Sequence, residues 1–214
     1  MVDQERIFAD RRDAGFHLGK LLEATYKDKG ALVLGIPRGG VIVAYEVAKI
    51  LHGQLSVVIT KKLPHPSQEE LAIGATAEDG SVYLTFYARE FSNTVIQRVV
   101  SAQSKEIQSR IERFRNGKPL PDMSGRIVII VDDGIATGST IVPAIKLCKT
   151  RKAASVVVAS PVSGARYVSD IDALADDVVI VEQPDDFYAV GQVYEDFHHL
   201  SDSEVTDALE GFEA

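Results

Sequence analysis

The chain has 214 residues, enough for one sizeable core, and its 45% apolar and 25% charged residues are ordinary for a globular protein. A net charge of −8 argues against a nucleic-acid-binding face, which needs a basic surface, but leaves room for a local pocket that holds small anions. Cys148 is the only cysteine, so no intrachain disulfide can form, and no stretch approaches the ~18 apolar residues of a membrane span. The opening segment MVDQERIFADRR has no apolar centre of the signal-peptide kind, so a cytoplasmic home is expected.

Along the chain, residues 10–26 read as an amphipathic helix, with Ala14, Leu18, Leu21 and Leu22 at helical spacing. The run ALVLGI (31–36) is short and continuously apolar, as in a strand buried on both faces. A helix over about 40–51 follows Gly39-Gly40, and a second strand, LSVVIT (55–60), ends at Lys61-Lys62. This alternation predicts a parallel strand–helix–strand unit. Residues 63–92 are rich in proline, glycine and polar residues, with one short strand near Ser81–Thr85. A long helix over about 93–115 carries Ile96, Val99, Val100, Ile107, Ile111 and Phe114 on one stripe. We read 63–115 as an inserted flap and 116–125 as a loop. The strand RIVIIVDD (126–133) runs into a turn, GIATGST (134–140), and a helix to about Thr150. A strand at 154–160, a helix at 164–174 and a strand at 177–181 follow. The aromatic, acidic segment 182–200 reads as a hood, and a short helix (201–211) closes a single domain spanning 1–214.

The chemistry concentrates in VDDGIATGST (131–140). Buried strand residues deliver Asp132 and Asp133 to the carboxyl edge of a sheet, where open α/β folds bind ligands. The turn Ala136-Thr137-Gly138-Ser139-Thr140 then offers hydroxyls and backbone N–H groups at the start of a helix, a cradle for phosphate. Two ionised carboxylates accept hydrogen bonds only, which suits vicinal sugar hydroxyls. No Lys precedes Ser139-Thr140, so this is no Walker loop, and the glycine spacing is not that of a dinucleotide fingerprint.

This string resembles the phosphoribosyl-pyrophosphate motif of the type I phosphoribosyltransferases. The resemblance implies an α/β fold with a central, mainly parallel sheet flanked by helices, plus a flap and hood. It implies that Asp132 and Asp133 hold the ribose 2- and 3-hydroxyls while Ala136, Thr137, Gly138, Ser139 and Thr140 hold the 5-phosphate. The segment Gly35-Ile36-Pro37-Arg38-Gly39-Gly40 is similar to the family's pyrophosphate loop, with Arg38 as a forked cationic donor. A lysine at 61 or 62 resembles the family's pyrophosphate-binding lysine; adjacent strand residues face opposite ways, so one of the two would face inward. The segment from Gln183 to Gly191 resembles a base-binding loop, with Phe187 as the ring that stacks on a purine-type base and Asp196 near magnesium and pyrophosphate. Ala136 stands where hypoxanthine-guanine enzymes carry an aspartate, and Ala-Thr-Gly is similar to adenine enzymes instead.

The activity thus implied is transfer of a phosphoribosyl group from 5-phosphoribosyl 1-pyrophosphate to a nitrogen acceptor, with magnesium as cofactor. Catalytic roles would fall to Asp132, Asp133 and Arg38. The expected partners are the donor and a small-molecule acceptor, with a homodimer implied by resemblance and with neither nucleic acid nor membrane. Two other classes stay open. One is a regulator that senses the donor without catalysis. The other is a phosphohydrolase using Asp132, although such sites usually space their aspartates by two residues. The histidines show no metal-ligand spacing, and His198-His199 reads as an exposed loop pair.

Overall fold

The computed structural model describes residues 7–213. Its first helix, α1 (Arg11–Tyr26), begins where the Asp10 carboxylate accepts from the amides of Arg12 and Asp13. The chain continues through β1 (Leu32–Gly35), α2 (Gly39–Leu51) and β2 (Gln54–Val57).

Thr60 begins a different sheet. Strands β3 (Thr60–His65), β4 (Gln68–Ala77) and β5 (Val82–Leu84) form an antiparallel three-stranded unit, followed by the 23-residue helix α3 (Asn93–Arg115). The core resumes with β6 (Ile127–Val131), α4 (Ile141–Thr150), β7 (Ser155–Val162), α5 (Asp170–Leu174), β8 (Asp177–Glu182) and a closing helix, α6 (Asp202–Glu213).

The five core strands are all parallel, in the order β2-β1-β6-β7-β8. Their side chains alternate between two helical layers. Val33, Ile129 and Val157 pack under Leu18, Val43 and Val47 of α1 and α2. Leu34, Ile130 and Val158 pack on the other face under Val142 and Ile145 of α4 and Ile171 of α5. Burial on both sides explains the continuous apolar runs, each such side chain contributing about 1.5–3 kcal/mol.

The order places a topological switch between β1 and β6. After β1 the chain crosses to β2 on one side, and after β6 to β7 on the other. Gly35 and Val131 are register partners at the carboxyl ends of these neighbouring strands, so the loops 36–40 and 132–140 start side by side. A crevice opens at such a point.

Three elements differ from the sequence reading. The expected strand 55–60 is two strands in two sheets, so Lys61-Lys62 opens the antiparallel unit rather than closing a core strand. Strand β4 escaped notice because its buried positions are mainly small: Ile73, Ala75 and Ala77 alternate inward, and alanine carries little strand preference. The helix expected at 164–174 is confined to Asp170–Leu174. Phe187 packs directly over Gly164, and the preceding loop instead gives the Val168 amide to the Thr137 carbonyl at 3.0 Å.

The antiparallel unit and α3 form an arm. Leu63, Ile73, Ala88 and Ile96 make a small core of its own. Farther along α3, Ile107, Ile111 and Phe114 pack on Val41, Val57 and Ile59 of the body and Val205 of α6. At the root, Arg115 pairs with Glu78, both nearly fully buried, and burial outweighs Arg115 in pushing the Glu78 carboxyl upward. Helix α3 ends at Asn116 and Gly117, both left-handed, with Pro119 beyond.

Candidate active site at the strand switch

The two loops enclose a cavity of about 770 Å³ lined by Pro37, Arg38, Gly39, Asp132, Asp133 and Thr140, with Arg11, Thr60 and Arg110 from other elements. Asp132 and Asp133 leave β6 in sequence but do different work. The Asp133 amide donates to Asp132 Oδ1 at 2.9 Å, and the Asp133 carboxylate accepts from Arg11 Nε at 2.8 Å. Tyr194 Oη donates to the Asp133 carbonyl at 2.6 Å, tying the hood to the same residue. Burial, then the neighbouring Asp133 charge, pushes the Asp132 carboxyl well above its ordinary range.

The loop 36–40 lies against these carboxylates. The Pro37–Arg38 peptide bond is cis. A Cβ at Gly39 would sit 1.8 Å from Asp133 Oδ2, so only glycine lets loop and carboxylate approach. Arg38 directs Nε to Asp202 Oδ1 at 2.9 Å and Nη1 to the Leu200 carbonyl at 3.0 Å. It also donates from Nη1 to His199 Nε2 at 2.7 Å. Asp202 additionally pairs with Arg113 of α3. Burial opposes ionisation of Asp202, but hydrogen bonds from Arg113 and Arg38 outweigh it and hold the carboxyl low.

The turn after Asp133 brings hydroxyls to the start of α4. Gly138 is left-handed (φ 74°) and presses on Ile171. Ala136 and Thr137 are exposed, Thr140 is half-buried, and Thr140 makes no side-chain cap to α4. Thr137 Oγ1 and Ser139 Oγ stand 3.3 Å apart. The hydroxyls therefore gather at the N-terminus of a ten-residue helix, where the dipole favours negative charge.

The remaining sequence candidates distribute as follows. Lys61 is half-buried; burial lowers its pKa, helped by Arg110 and Arg38 and opposed by Glu106. Lys62 is exposed. Phe187 is half-buried, packed on Gly164 and the cluster of Phe8, Val162 and Tyr194, while Tyr188 beside it is 75% exposed. Asp196 faces an adjoining cavity of about 440 Å³, and its Oδ1 accepts from the amide and ring of His198. Among the described residues, no group of three His, Cys, Asp or Glu side chains could hold a metal by itself. His198 and His199 are exposed, but both line the main cavity, and His199 partners Arg38.

Sequence reasoning missed Arg11, Arg110 and Thr60. Lone arginines on amphipathic helices read as solvated, and Thr60 read as a strand end. Their common signal is tertiary: all three converge on the cavity.

A parallel sheet with paired carboxylates and a hydroxyl-rich turn at its switch point defines an α/β protein whose crevice lies where open sheets of this kind bind ligands. The phosphoribosyl transferase domain family matches residues 5–198, and the chain belongs to it. A Mycobacterium tuberculosis protein named "Putative phosphoribosyl transferase" is 42% identical over 208 residues, covering 96% of this chain and 47% of the relative. The chain thus spans about half the length of that curated relative. The crystal structure of TT1426 from Thermus thermophilus matches with 38% identity and a TM-score of 0.82, covering 96% of this chain and 98% of that one. A hypoxanthine phosphoribosyltransferase from Staphylococcus aureus shares the fold at 16% identity and a TM-score of 0.53, covering 86% of this chain and 78% of that one. The fold is that of the type I phosphoribosyltransferases, as the sequence motif implied. No helix among the described residues is long and apolar enough to cross a membrane.

Proposed function

We propose that the cavity binds 5-phosphoribosyl 1-pyrophosphate and transfers its phosphoribosyl group to a ring nitrogen of a purine-type base. The observation that carries this reading is the register of Gly35 with Val131, which sets the loop 36–40 beside the turn 132–140. One binding element then serves the leaving group and the other the sugar phosphate.

In this reading the turn from Ala136 to Thr140 takes the 5-phosphate with its amides, its hydroxyls and the N-terminus of α4. Asp132 and Asp133 accept hydrogen bonds from the ribose 2- and 3-hydroxyls. The loop from Pro37 to Gly40, with Arg38 and Lys61, takes the pyrophosphate. The bond between the anomeric carbon and pyrophosphate oxygen breaks, and the bond from that carbon to the acceptor nitrogen forms. Positive charge develops at the anomeric carbon, and the two carboxylates favour it. The acceptor nitrogen sheds its proton to the departing pyrophosphate or to solvent, because Ala136 offers no base.

Magnesium, when bound, neutralises charge on the departing pyrophosphate. Asp132 and Asp133, pure acceptors when ionised, are the residues that would face the metal, with substrate oxygens supplying the rest of its shell. Asp196 is already engaged with His198, so we assign it no more than an outer role. The hood segment carrying Phe187 and Tyr188 offers the base a ring face. The arm excludes water from the reacting centre.

The test is an assay of pyrophosphate release in magnesium against a panel of purines, pyrimidines and simple amines. Release with one purine supports the reading and names the acceptor. Binding of the donor without release on any acceptor would favour a sensor of the donor instead.

A further inference from the structure

Cations gather where the arm meets the cavity. Arg38 and Arg110 line the cavity, Lys61 and Arg113 stand beside them, and these four share the carboxylates of Glu106 and Asp202. Asp202 is shared by Arg38 and Arg113. A single Glu106 oxygen lies 3.0 Å from Arg110 Nε and 3.8 Å from Lys61 Nζ. Within this group four cations meet two carboxylates, while across the cavity Asp133 is already paired with Arg11. Partly buried cations set side by side favour an anion placed next to them.

Arg110 is placed for this by the helix period. It lies three residues after Ile107 and four before Phe114, both packed on the body, so its side chain is held on the inner face of α3 and is only 20% exposed. Glu106 occupies Nε, and among the described residues no partner takes Nη1 or Nη2.

A second observation is independent of charge. Thr60 is 7% exposed and lines the same cavity, yet its Oγ1 is buried without a hydrogen-bond partner among the described residues. An orphaned buried hydroxyl costs about 1–3 kcal/mol unless something meets it. A ligand oxygen would do so once the Thr60 side chain turns its hydroxyl into the cavity.

We propose that Arg110 of the inserted helix and Thr60 at the root of the arm bind the pyrophosphate group of the donor, opposite the Arg38 loop. This rests on the reading that the cavity takes 5-phosphoribosyl 1-pyrophosphate, and extends it: the arm is part of the anion site as well as its cover. Arg110 then sets donor specificity, because ribose 5-phosphate lacks the group it holds.

The experiment is calorimetric titration, in magnesium, of three probes: 5-phosphoribosyl 1-pyrophosphate, inorganic pyrophosphate and ribose 5-phosphate. The proteins are the wild type, Arg110→Gln, Arg110→Lys, Thr60→Val and, as an exposed arginine elsewhere on the arm, Arg89→Gln. Arg110→Gln weakens both pyrophosphate-bearing probes about tenfold or more, the scale of one charge-assisted contact, and leaves ribose 5-phosphate within about twofold. Arg110→Lys recovers part of the loss, Thr60→Val loses less in the same direction, and Arg89→Gln changes nothing. Wild-type affinity for pyrophosphate in Arg110→Gln overturns the proposal while leaving the donor reading intact. Equal loss of all three probes overturns it too, since it marks structural damage. A wild-type protein that binds none of the three overturns the donor reading itself.

Discussion

Arg11 and Asp133, 122 positions apart in the chain, meet at 2.8 Å on the floor of the cavity. Arg11 also lies 3.9 Å over the Phe197 ring and donates from Nη1 to the His198 carbonyl at 3.1 Å. One buried guanidinium thus joins the first helix, the hood and the carboxylate that follows β6. Replacing it with glutamine leaves Asp133 without its cation in a partly desolvated site. We expect a loss of about 3 kcal/mol in urea unfolding, the scale for breaking a buried pair from one side. Arg11→Lys, which keeps the charge but not the fork, recovers part of it.

Gly39 tests the approach of loop and carboxylate. An alanine methyl there would meet Asp133 Oδ2 at 1.8 Å and Arg11 Nε at 2.8 Å, so the carboxylate must turn away. Gly39→Ala is expected to cost about 1–3 kcal/mol of stability. It should also weaken donor binding at least tenfold, measured by calorimetry on protein whose circular dichroism is unchanged.

Asp202 competes with the donor for Arg38. Its carboxylate holds Arg38 Nε at 2.9 Å and pairs with Arg113, and these side chains are 26–51% exposed. Asp202→Asn removes a rival anion and adds one positive charge beside the pyrophosphate loop. Pyrophosphate affinity is expected to rise several-fold, while thermal stability falls by no more than about 1 kcal/mol, as for exposed pairs.

Asp132 predicts a pH dependence with a definite sign. Burial and Asp133 raise its native pKa above the ordinary 3.8, so the folded state holds this proton more tightly than the unfolded chain. The stability it contributes is complete below that ordinary value and is lost as pH rises through the raised native value. Asp132→Asn cannot ionise and can still accept the Asp133 amide bond through its side-chain oxygen. Unfolding by urea from about pH 4 to about pH 8 should therefore show a flatter profile for Asp132→Asn and higher stability at neutral pH. The same variant should bind the donor more weakly, having given up a charged acceptor.

The core of the fold and the hydroxyl-rich turn after β6 were legible because both are written locally. Strands β1 and β6 are continuous apolar runs, and the turn 134–140 carries its hydroxyls and glycines within seven residues. The arm sheet was poorly legible because Ala75 and Ala77 bury little surface and the pairing of β4 with β3 and β5 is set by neighbours, not by pattern. The cationic wall was illegible for another reason. Arg11 and Arg110 lie on two separate helices, and the packing of α3 on Val57 and Ile59 brings Arg110 into the pocket.

The central claim is that the turn 132–140 and the loop 36–40 together form a receptor for 5-phosphoribosyl 1-pyrophosphate. The most direct measurement is calorimetric binding of that donor, with and without magnesium, to the wild type and to Asp133→Ala. The account predicts magnesium-dependent binding to the wild type and a loss of about a hundredfold in Asp133→Ala, the scale of one buried charge-assisted contact. A folded wild type that does not bind the donor, or an Asp133→Ala variant that binds it unchanged, would contradict the account.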